Sequence, residues 1–347
     1  MRVGIKKRAP LRVAGVGINA TDTIIRLPRF PAVDSKLEVL SSSIRAGGQT
    51  ASAMVACRRW GLGAVYVGKV GDDAAAKFQI AEMKRERVRA HWIRAKKTSS
   101  QNSYILVDQP SGERTILWQR AARITIAPRE LHRRWLSGAG ILLVDGHDTA
   151  SATLAARWAR QEKALVVADL DNVYPGVEAL LEIIDFPVVS KDFPHKLTGQ
   201  ENVLESLPAI LARFNSCAIV ATLGRLGALA WDGQAFLLSP GFQADAMDTT
   251  GAGDIFHGAF VFGLARAWPL AAILEFACAA AALNCTAIGA RGHIGTLREI
   301  AALRRSGRRS ELAWSGAQLV EAARAAGVGV RPAKRFAVHA CLVEAAP

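Results

Sequence analysis

The chain has 347 residues, of which 50% are hydrophobic and 21% are charged. This composition excludes disorder as the default state, and the length is sufficient for one large α/β domain or two smaller domains. The formal net charge of +14 raises the question of a nucleic-acid partner, because clustered Lys and Arg release counterions from phosphate. The basic residues cluster only weakly, however, and no zinc-finger or RNA-binding signature accompanies them. We therefore expect a solvated basic surface and no nucleic-acid partner.

The five cysteines are odd in number and show no C-x-x-C spacing, which is typical of a protein in a reducing cytosol. The N-terminus is basic and has no apolar segment of the kind found in secretory signals. The most apolar region, 260–290, is interrupted by charged residues and a proline, so it is too broken to span a membrane. These features predict a cytoplasmic protein with no membrane association.

Strand-like and helix-like patterns alternate along most of the chain. In chain order, the predicted strand and helix pairs are 11–18 with 50–61, 140–146 with 149–161, and 163–170 with 176–184, and a further strand follows at 216–224. Strands that are each followed by a helix indicate βαβ crossovers and a parallel sheet that is covered on both faces. The pattern therefore predicts an α/β fold.

Two segments break this alternation. Residues 35–48 and 100–120 have the pattern of short antiparallel strands, and the second segment is predicted to form a hairpin that turns at Pro110 to Gly112. Together they predict a small sheet that stands apart from the main body, as a lid would. After about Arg298 the pattern loosens into a basic, alanine-rich extension whose role the sequence does not indicate.

The stretch "VAGVGINA" has the spacing of a dinucleotide-binding fingerprint, with Gly15, Gly17 and Ala20 directly after a strand. That fingerprint requires a helix to follow, because the helix N-terminus receives the pyrophosphate. Here the chain instead continues into a segment that contains Pro28 and Pro31. A Rossmann-type dinucleotide site is therefore not expected.

The stretch "DTTGAGD", residues 248–254, precedes an apolar segment of helical character. Its glycines allow a tight turn, so that successive backbone N–H groups can point into one concavity at the helix start. A helix N-terminus with free donors favours an anion, such as a phosphoryl group in transfer. Asp254 is then either a simple acid of the first helical turn or a general base beside the anion. Spacing alone leaves both interpretations open.

Several motifs resemble, in order, those of the ribokinase-like (PfkB) carbohydrate kinase family. "DTTGAGD" resembles the C-terminal signature of the family. Residues 19–31 resemble its first sugar-contacting loop, and residues 46–73 resemble its N-terminal signature. Residues 220–231 resemble the nucleotide-side strand and turn, and residues 285–294 resemble the segment after the late helix. The resemblance covers about Leu11 to Thr296. In combination these motifs are much more specific than any single one.

The resemblance implies a fold, an activity and an assembly. The fold is a ribokinase-like three-layer sandwich with a mainly parallel central sheet and a small β-sheet lid. The kinase domain would cover residues 1–300, with lid strands at about 35–46 and 101–120, and the extension would cover 301–347. The implied activity is phosphorylation of a hydroxyl on a small sugar or sugar derivative by ATP with Mg²⁺, and lids of this family often pair between subunits to give a homodimer.

The resemblance also assigns roles to individual residues. Asp254 matches the catalytic base, and the backbone of Gly251, Ala252 and Gly253 matches the anion hole. The positions that match the sugar-binding residues are Asn19, Asp22, Gly47, Gly48 and Ser52. A carboxylate suits a polyol because it accepts hydrogen bonds from two hydroxyls. Structural alternatives remain, since Asp22 can cap a turn and the glycine pair can simply end a strand.

Other matches concern the nucleotide and the metals. The positions that match the nucleotide side are Ser190, Thr222, Gly224 and Gly227. Asp248 and Thr250 match positions that support a monovalent cation such as K⁺ in some members.

Three positions depart from the family pattern. "SKDF", residues 190–193, replaces an Asn-x-x-Glu motif that is linked to magnesium and phosphate, which leaves the neighbouring Asp192 as a candidate for holding Mg²⁺ through water. Ser52 and Cys278 each stand where the family often has Asn. The departures at "SKDF" and Ser52 suggest a rival hypothesis, in which the chain is a catalytically weak sugar-binding or regulatory protein on the same fold.

Overall fold

The computed structural model describes residues 11–214 and 216–326. Strands in this part of the chain are numbered in order: β1 Arg12–Val16, β2 Ala20–Leu27, β3 Ser41–Gly47, β4 Gly63–Val70, β5 Arg89–Arg94, β6 Asn102–Asp108, β7 Arg114–Gln119, β8 Ile141–Asp145, β9 Leu165–Leu170, β10 Phe186–Ser190, β11 Ile219–Thr222, β12 Gly227–Trp231 and β13 Phe236–Pro240. The α-helices are α1 Gln49–Arg59, α2 Ala74–Arg85, α3 Thr149–Gln161, α4 Val177–Leu181, α5 Phe193–Thr198, α6 Val203–Phe214, α7 Ala252–Ala265, α8 Leu270–Asn284, α9 Leu297–Ser306 and α10 Gly316–Ala325.

Nine of these strands form one large sheet in the order β13-β12-β11-β10-β9-β8-β1-β4-β5. Neighbours from β11 to β5 pair in parallel, whereas β12 and β13 are antiparallel additions at one edge. The strands predicted at 11–18, 140–146, 163–170 and 216–224 all belong to this sheet. The prediction of a mainly parallel central sheet is confirmed.

Alternating side chains of the sheet supply two separate hydrophobic cores. Val13 and Leu143 pack into one core with residues of α1, α7 and α8. Their strand neighbours Ala14 and Leu142 point to the opposite face and pack with residues of α3, α4 and α6. This alternation is what a strand with both faces buried requires. Helices therefore cover both faces of the sheet, which confirms the three-layer sandwich.

Helices α1 and α7 pack closely against each other on one face of the sheet. A Cβ placed on Gly258 of α7 would lie 2.9 Å from the carbonyl oxygen of Ala53 in α1, so no larger residue fits without movement. The Cys57 thiol also donates a hydrogen bond of 3.4 Å to the Gly258 carbonyl oxygen. The small residues in this contact let the two backbones approach.

Four strands form the second, smaller sheet in the order β3-β2-β6-β7. This confirms the separate small sheet, but β2, which carries the first sugar-contacting segment of the resemblance, is one of its central strands. The strand predicted from position 35 begins only at Ser41, which pairs with Arg26. The reason is that β2 ends at Leu27 before Pro28, so residues 35–39 have no strand beside them to pair with.

The C-terminal part of the described chain contains α9 and α10. Helix α10 contacts α6 and β13, so the segment beyond residue 306 crosses the edge of the large sheet. The predicted division into 1–300 and 301–347 also includes 1–10 and 327–347, which lie outside the described residues. In the described chain, no helix is both long and apolar enough to cross a membrane.

Candidate active site

A cleft of about 1050 Å³ opens where the carboxyl ends of the central strands face the small sheet. Its lining includes Asp22 and Ser103 from the small sheet, Ser190 and Thr222 from strand ends, and Asp254 from α7. The outer edge of the carboxyl ends is the usual ligand position in open α/β sheets. The cleft therefore brings together groups that are distant in the sequence.

The N-terminus of α7 forms one wall of this cleft. Gly251 has φ 73° and immediately precedes the helix, and a Cβ on it would lie 2.3 Å from the Ala290 carbonyl oxygen. A Cβ on Gly253 would meet no atom within 4 Å, so this position opens onto free space. The Ala252 amide donates a long hydrogen bond of 3.3 Å to the Thr249 carbonyl oxygen. The first-turn amides of Gly253 and Asp254 have no intrahelical acceptor, which suits an anion.

Asp254 lies in the first turn of α7 and lines the cleft. Its carboxylate accepts no hydrogen bond from the residues that the structure describes. Burial raises the pKa of Asp254 to about 6, although the charges of Arg114 and Arg291 act in the opposite direction. A carboxylate with this pKa is ionised at neutral pH and is a stronger base than a surface aspartate.

Asp22 lies on β2 at the other side of the cleft, next to the glycine pair. A Cβ on Gly47 would lie 1.9 Å from Asp22 Oδ2, so only glycine leaves room for this carboxylate. Gly48 has φ 91°, and a Cβ there would lie 2.5 Å from the Asn19 Cα. Burial raises the pKa of Asp22 to about 7, and the negative charge of Asp254 contributes to the increase. Gly47 therefore makes room for Asp22 at the end of β3, and Gly48 lets the chain pass close to the backbone of Asn19.

Three of the predicted sugar-side positions, Asn19, Gly47 and Ser52, support the cleft rather than line it. Asn19 is buried, and neither polar atom of its side chain has a protein partner. Ser52 is fully buried and accepts a hydrogen bond of 3.2 Å from Arg291 Nε. The same guanidinium donates through Nη2 to the Gly47 carbonyl oxygen at 3.1 Å. The short side chain of Ser52 thus leaves room for an arginine that binds the glycine pair from behind.

The nucleotide-side positions of the resemblance lie together at the other end of the cleft. Ser190 and Thr222 are opposite each other in the register of β10 and β11. Gly224 has φ 60° and Gly227 has φ 101°, and a Cβ on Gly227 would lie 2.1 Å from the Ser239 carbonyl oxygen. The tight turn between them requires glycine at both ends. The shape of this end is therefore set mainly by backbone.

Asp248 and Thr250 hold the loop before α7. Asp248 is fully buried, and its two carboxylate oxygens accept hydrogen bonds of 2.8 Å from the amides of Thr250 and Gly289. The Thr250 hydroxyl is buried and has no protein partner. Asp248 thus joins the loop before α7 to the loop after α8, and the monovalent cation at these positions stays a prediction.

The structure places the magnesium candidate Asp192 outside the cleft lining, on the exposed cap of α5. Asp171, which follows β9, lines the cleft instead. Within residues 11–214 and 216–326, no three His, Cys, Asp or Glu side chains form a group that could hold a metal ion. Any magnesium ion in this cleft would therefore depend on oxygens of the nucleotide as well as on the protein.

Two acids that sequence reasoning did not single out lie at neighbouring strand ends. Asp145 and Asp169 are opposite each other in the register of β8 and β9. Asp145 accepts hydrogen bonds from the Ile18 amide at 2.6 Å and the Thr50 hydroxyl at 2.9 Å. A Cβ on Gly17 would lie 1.9 Å from Asp145 Oδ2, which explains the glycine of the misleading fingerprint. The sequence signal that could have indicated Asp145 and Asp169 was the position of each acid at the end of an apolar run.

Arg114 and His257 also line the cleft. Arg114 lies on β7 of the small sheet, and its Nη1 donates to Thr249 Oγ1 at 3.0 Å, so it reaches the loop before α7. His257 is buried on α7, with Nδ1 2.6 Å from the Gly253 carbonyl oxygen and 3.3 Å from Asp169 Oδ2. His257 is therefore both a buried helix-face residue and a cleft residue. Nothing in the sequence near Arg114 indicated that its side chain would contact Thr249.

An acid in the first turn of a helix, facing a second carboxylate across a cleft, is an arrangement that suits phosphoryl transfer to a hydroxyl. Residues 11–296 match the pfkB family carbohydrate kinases, and the chain belongs to this family. The resemblance of the motifs is thereby confirmed.

Two curated relatives are similar to this chain in sequence, and one solved structure is similar to it in fold. A ribokinase of Lactococcus lactis is 27% identical over 295 residues, which is 84% of this chain and 96% of the relative. A 5-dehydro-2-deoxygluconokinase of Geobacillus kaustophilus is 22% identical, over 76% of this chain and 85% of the relative. The ribokinase of Arabidopsis thaliana, solved with ribose and ATP, superposes with a TM-score of 0.71 at 21% identity, over 86% of this chain and 100% of that one.

Proposed function

We propose that this carbohydrate kinase transfers the γ-phosphoryl group of ATP to a hydroxyl of a small sugar or sugar derivative, with Asp254 as the general base. The observation that carries the proposal is the position of Asp254: it lines the cleft at the start of α7, with no hydrogen bond to its carboxylate from the described residues and with a pKa raised to about 6 by burial. A base of this strength takes the proton of the attacking hydroxyl as the phosphoryl group arrives.

The remaining residues have supporting roles in this proposal. Amides at the start of α7, next to Gly251, Ala252 and Gly253, stabilise negative charge on the transferring phosphoryl oxygens. Asp22 accepts hydrogen bonds from sugar hydroxyls, and the buried Asn19, whose side-chain amide has no protein partner, supports the same end from behind the lining. The Gly224 to Gly227 turn receives the nucleotide, together with Ser190 and Thr222.

Magnesium would accompany ATP and offset the negative charge of its phosphates. Asp171, in the cleft lining, suits water-mediated contact with such an ion better than the exposed Asp192 does. Asp248 and the unpartnered Thr250 hydroxyl are the candidates for ordering a K⁺ site near the loop before α7.

We further propose that the enzyme is cytoplasmic and forms a homodimer through the lid. One row of side chains crosses the outer face of the small sheet: Ile44, Thr23, Tyr104 and Leu117 are successive partners in its register. The three large side chains of this row are 60%, 48% and 53% exposed. An apolar row of this kind is typical of an interface. Sedimentation equilibrium tests the dimer, and a monomer mass at micromolar concentration would contradict it.

The experiment for the activity is an assay of ADP release by the purified protein with ATP, Mg²⁺ and a panel of sugars, sugar acids and sugar phosphates. We expect sugar-dependent ADP release with at least one of them. Sugar binding without ADP release at any magnesium concentration would instead support the rival hypothesis of a binding or regulatory protein.

A further inference from the structure

The segment 307–311, here called the C-terminal strap, lies beyond residue 296, where the family match ends. It runs antiparallel to the chain that leaves β13, with a bridge between Phe242 and Arg309. The Gln243 amide donates to the Arg308 carbonyl oxygen at 2.9 Å, and the Ser310 amide donates to the Gly241 carbonyl oxygen at 2.8 Å. The strap is therefore held to the kinase domain by backbone hydrogen bonds on both sides of Arg309.

The side chain of Arg309 anchors the strap further. Its guanidinium lies 3.6 Å from the centroid of the Phe242 ring, and Nη1 donates to the Pro240 carbonyl oxygen at 3.1 Å. Nη2 forms an ion pair with Glu275 on α8, whose other oxygen binds Arg304 at 2.7 Å. Stacking, ion pairing and hydrogen bonding by one planar guanidinium fix the strap in a single position.

The chain after the strap is anchored as well. Helix α10 begins with a capping box formed by Ser315 and Gln318. The side chains of Trp314 and Leu319 pack against the core on the α3 and α6 face of the sheet. The strap is thus tied to α8 before the crossing and to the opposite face of the sheet after it.

Two strap residues, Ser310 and Glu311, line the cleft at the nucleotide end. A Cβ on Gly241 would lie 2.3 Å from the Arg225 carbonyl oxygen and 3.2 Å from Ser310 Oγ. Gly241 is therefore enclosed between the Gly224 to Gly227 turn and the strap. Any displacement of the strap would change the surroundings of that turn.

We propose that the C-terminal strap is the outer wall of the nucleotide site and positions the nucleotide-side turn; this rests on the proposed function, which assigns that end of the cleft to ATP. The local chemistry fits a purine nucleoside. Phe242 and Cys278 offer apolar surface, and the Ser310 hydroxyl and the Glu311 carboxylate offer polar groups at the margin. Arg309 is a positioning residue, because it holds the strap and does not itself line the cleft.

The test replaces the anchor in the full-length protein. Arg309→Met removes the stacking guanidinium and the ion pair, and Arg305→Met, at an exposed position of α9, is the control with the same change in charge. We expect Arg309→Met to raise the KM for ATP and the calorimetric Kd for ADP by about 5- to 50-fold, with the sugar KM within twofold of the wild type. Arg309→Lys should recover part of the loss, and Arg305→Met should change neither constant.

Ser310→Trp provides a second test that does not depend on the anchor. It places a large ring in the wall without removing a buried contact, and we expect it to weaken ADP binding by at least about tenfold. It decides the question if Arg309→Met fails to fold. If a folded Arg309→Met protein and Ser310→Trp both keep nucleotide constants within twofold of the wild type, the strap proposal is wrong.

These measurements separate the strap proposal from the proposed function. If the wild type phosphorylates no sugar but the variants bind ADP more weakly than it does, the proposed function is wrong and the strap proposal is supported. Unchanged nucleotide constants in an active kinase would overturn the strap alone. A wild type that binds neither ADP nor ATP would overturn both.

Discussion

The two ends of the cleft are built in different ways. At the proposed sugar end, side chains determine the shape: Asp22 occupies the space that Gly47 leaves free, and Arg291 binds the same glycine from behind. At the proposed nucleotide end, backbone determines the shape, through the turn from Gly224 to Gly227 and the strap beside it.

The contrast has a physical reason. Sugar hydroxyls must be matched one by one by directional donors and acceptors, whereas a nucleotide base offers large flat faces that shape alone can bind. We therefore expect single substitutions of polar residues to impair kcat or the sugar KM strongly at the sugar end and between the two ends. At the nucleotide end, changes of backbone position should matter more.

The largest effect is expected where the two ends meet. Asp254→Asn keeps the size of the side chain but removes the base, so kcat should fall by about 10²–10⁴ with a modest change in either KM. Single-turnover kinetics and circular dichroism of the purified variant check this expectation. Turnover close to that of the wild type would exclude Asp254 as the base.

A second substitution separates the two ends. Asp22→Ala should raise the sugar KM by roughly 10- to 150-fold, the equivalent of a lost charged hydrogen bond of about 1.5–3 kcal/mol, and leave ATP affinity nearly unchanged. Asp22→Asn keeps one acceptor oxygen, so its sugar KM should lie between those of Asp22→Ala and the wild type. A selective loss of ATP binding in calorimetry would reverse the assignment of the ends.

The pH dependence distinguishes the paired carboxylates from ordinary ones. The raised pKa values of Asp254, about 6, and Asp22, about 7, predict that kcat/KM rises with pH and reaches a plateau above this range. Stability should change in the opposite direction. Because the folded-state pKa exceeds the unfolded value near 4, this contribution to stability is present below pH 4 and is lost as pH rises through 6 to 7.

Asp254→Asn isolates one group in that trend. The difference in thermal unfolding temperature, variant minus wild type, should be more positive at pH 8 than at pH 4. The reason is that the wild type must form a buried charge at this position at pH 8 and the variant does not. Equal differences at both pH values would mean that Asp254 has an ordinary pKa in the free enzyme.

The smallest effect concerns magnesium at the nucleotide end. Asp171→Asn should raise the Mg²⁺ concentration for half-maximal activity several-fold without changing the sugar KM, because its carboxylate lies in the cleft lining. Asp192→Ala is the matched control and should leave the magnesium titration unchanged, since Asp192 is exposed and outside the lining. The reverse pattern would restore Asp192 as the residue that replaces the missing glutamate.

Local sequence signals predicted part of this arrangement. The glycines of "DTTGAGD" and the helix that follows are adjacent in the chain, so their geometry depends on short-range rules. The alternation of strands and helices likewise indicated the parallel sheet. The small sheet was predicted from its hairpin, but the strand that carries Asp22 was interpreted as a loop, because the family resemblance assigned 19–31 to a sugar-contacting loop.

Contacts between distant segments could not be predicted. Arg291 is 239 residues from Ser52 in the chain, and only the fold shows that the guanidinium fills the space beside the shorter side chain. Arg114 is 135 residues from Thr249 and was one basic residue among many. Arg309 gave no signal either, because the role of the strap depends on the edge of the sheet that it crosses.

The contact between Gly258 and Ala53 bears on the distance over which a phosphoryl group must move. Helix α1 begins beside Gly48 at the proposed sugar end, and helix α7 begins beside Gly251 at the proposed anion site. The two helices touch where a Cβ would lie 2.9 Å from a carbonyl oxygen. A methyl group there would force the helices apart by tenths of an ångström. Reacting atoms must approach to about 3–3.5 Å, so under the proposed function even this small separation of the helices would change the distance between acceptor and donor.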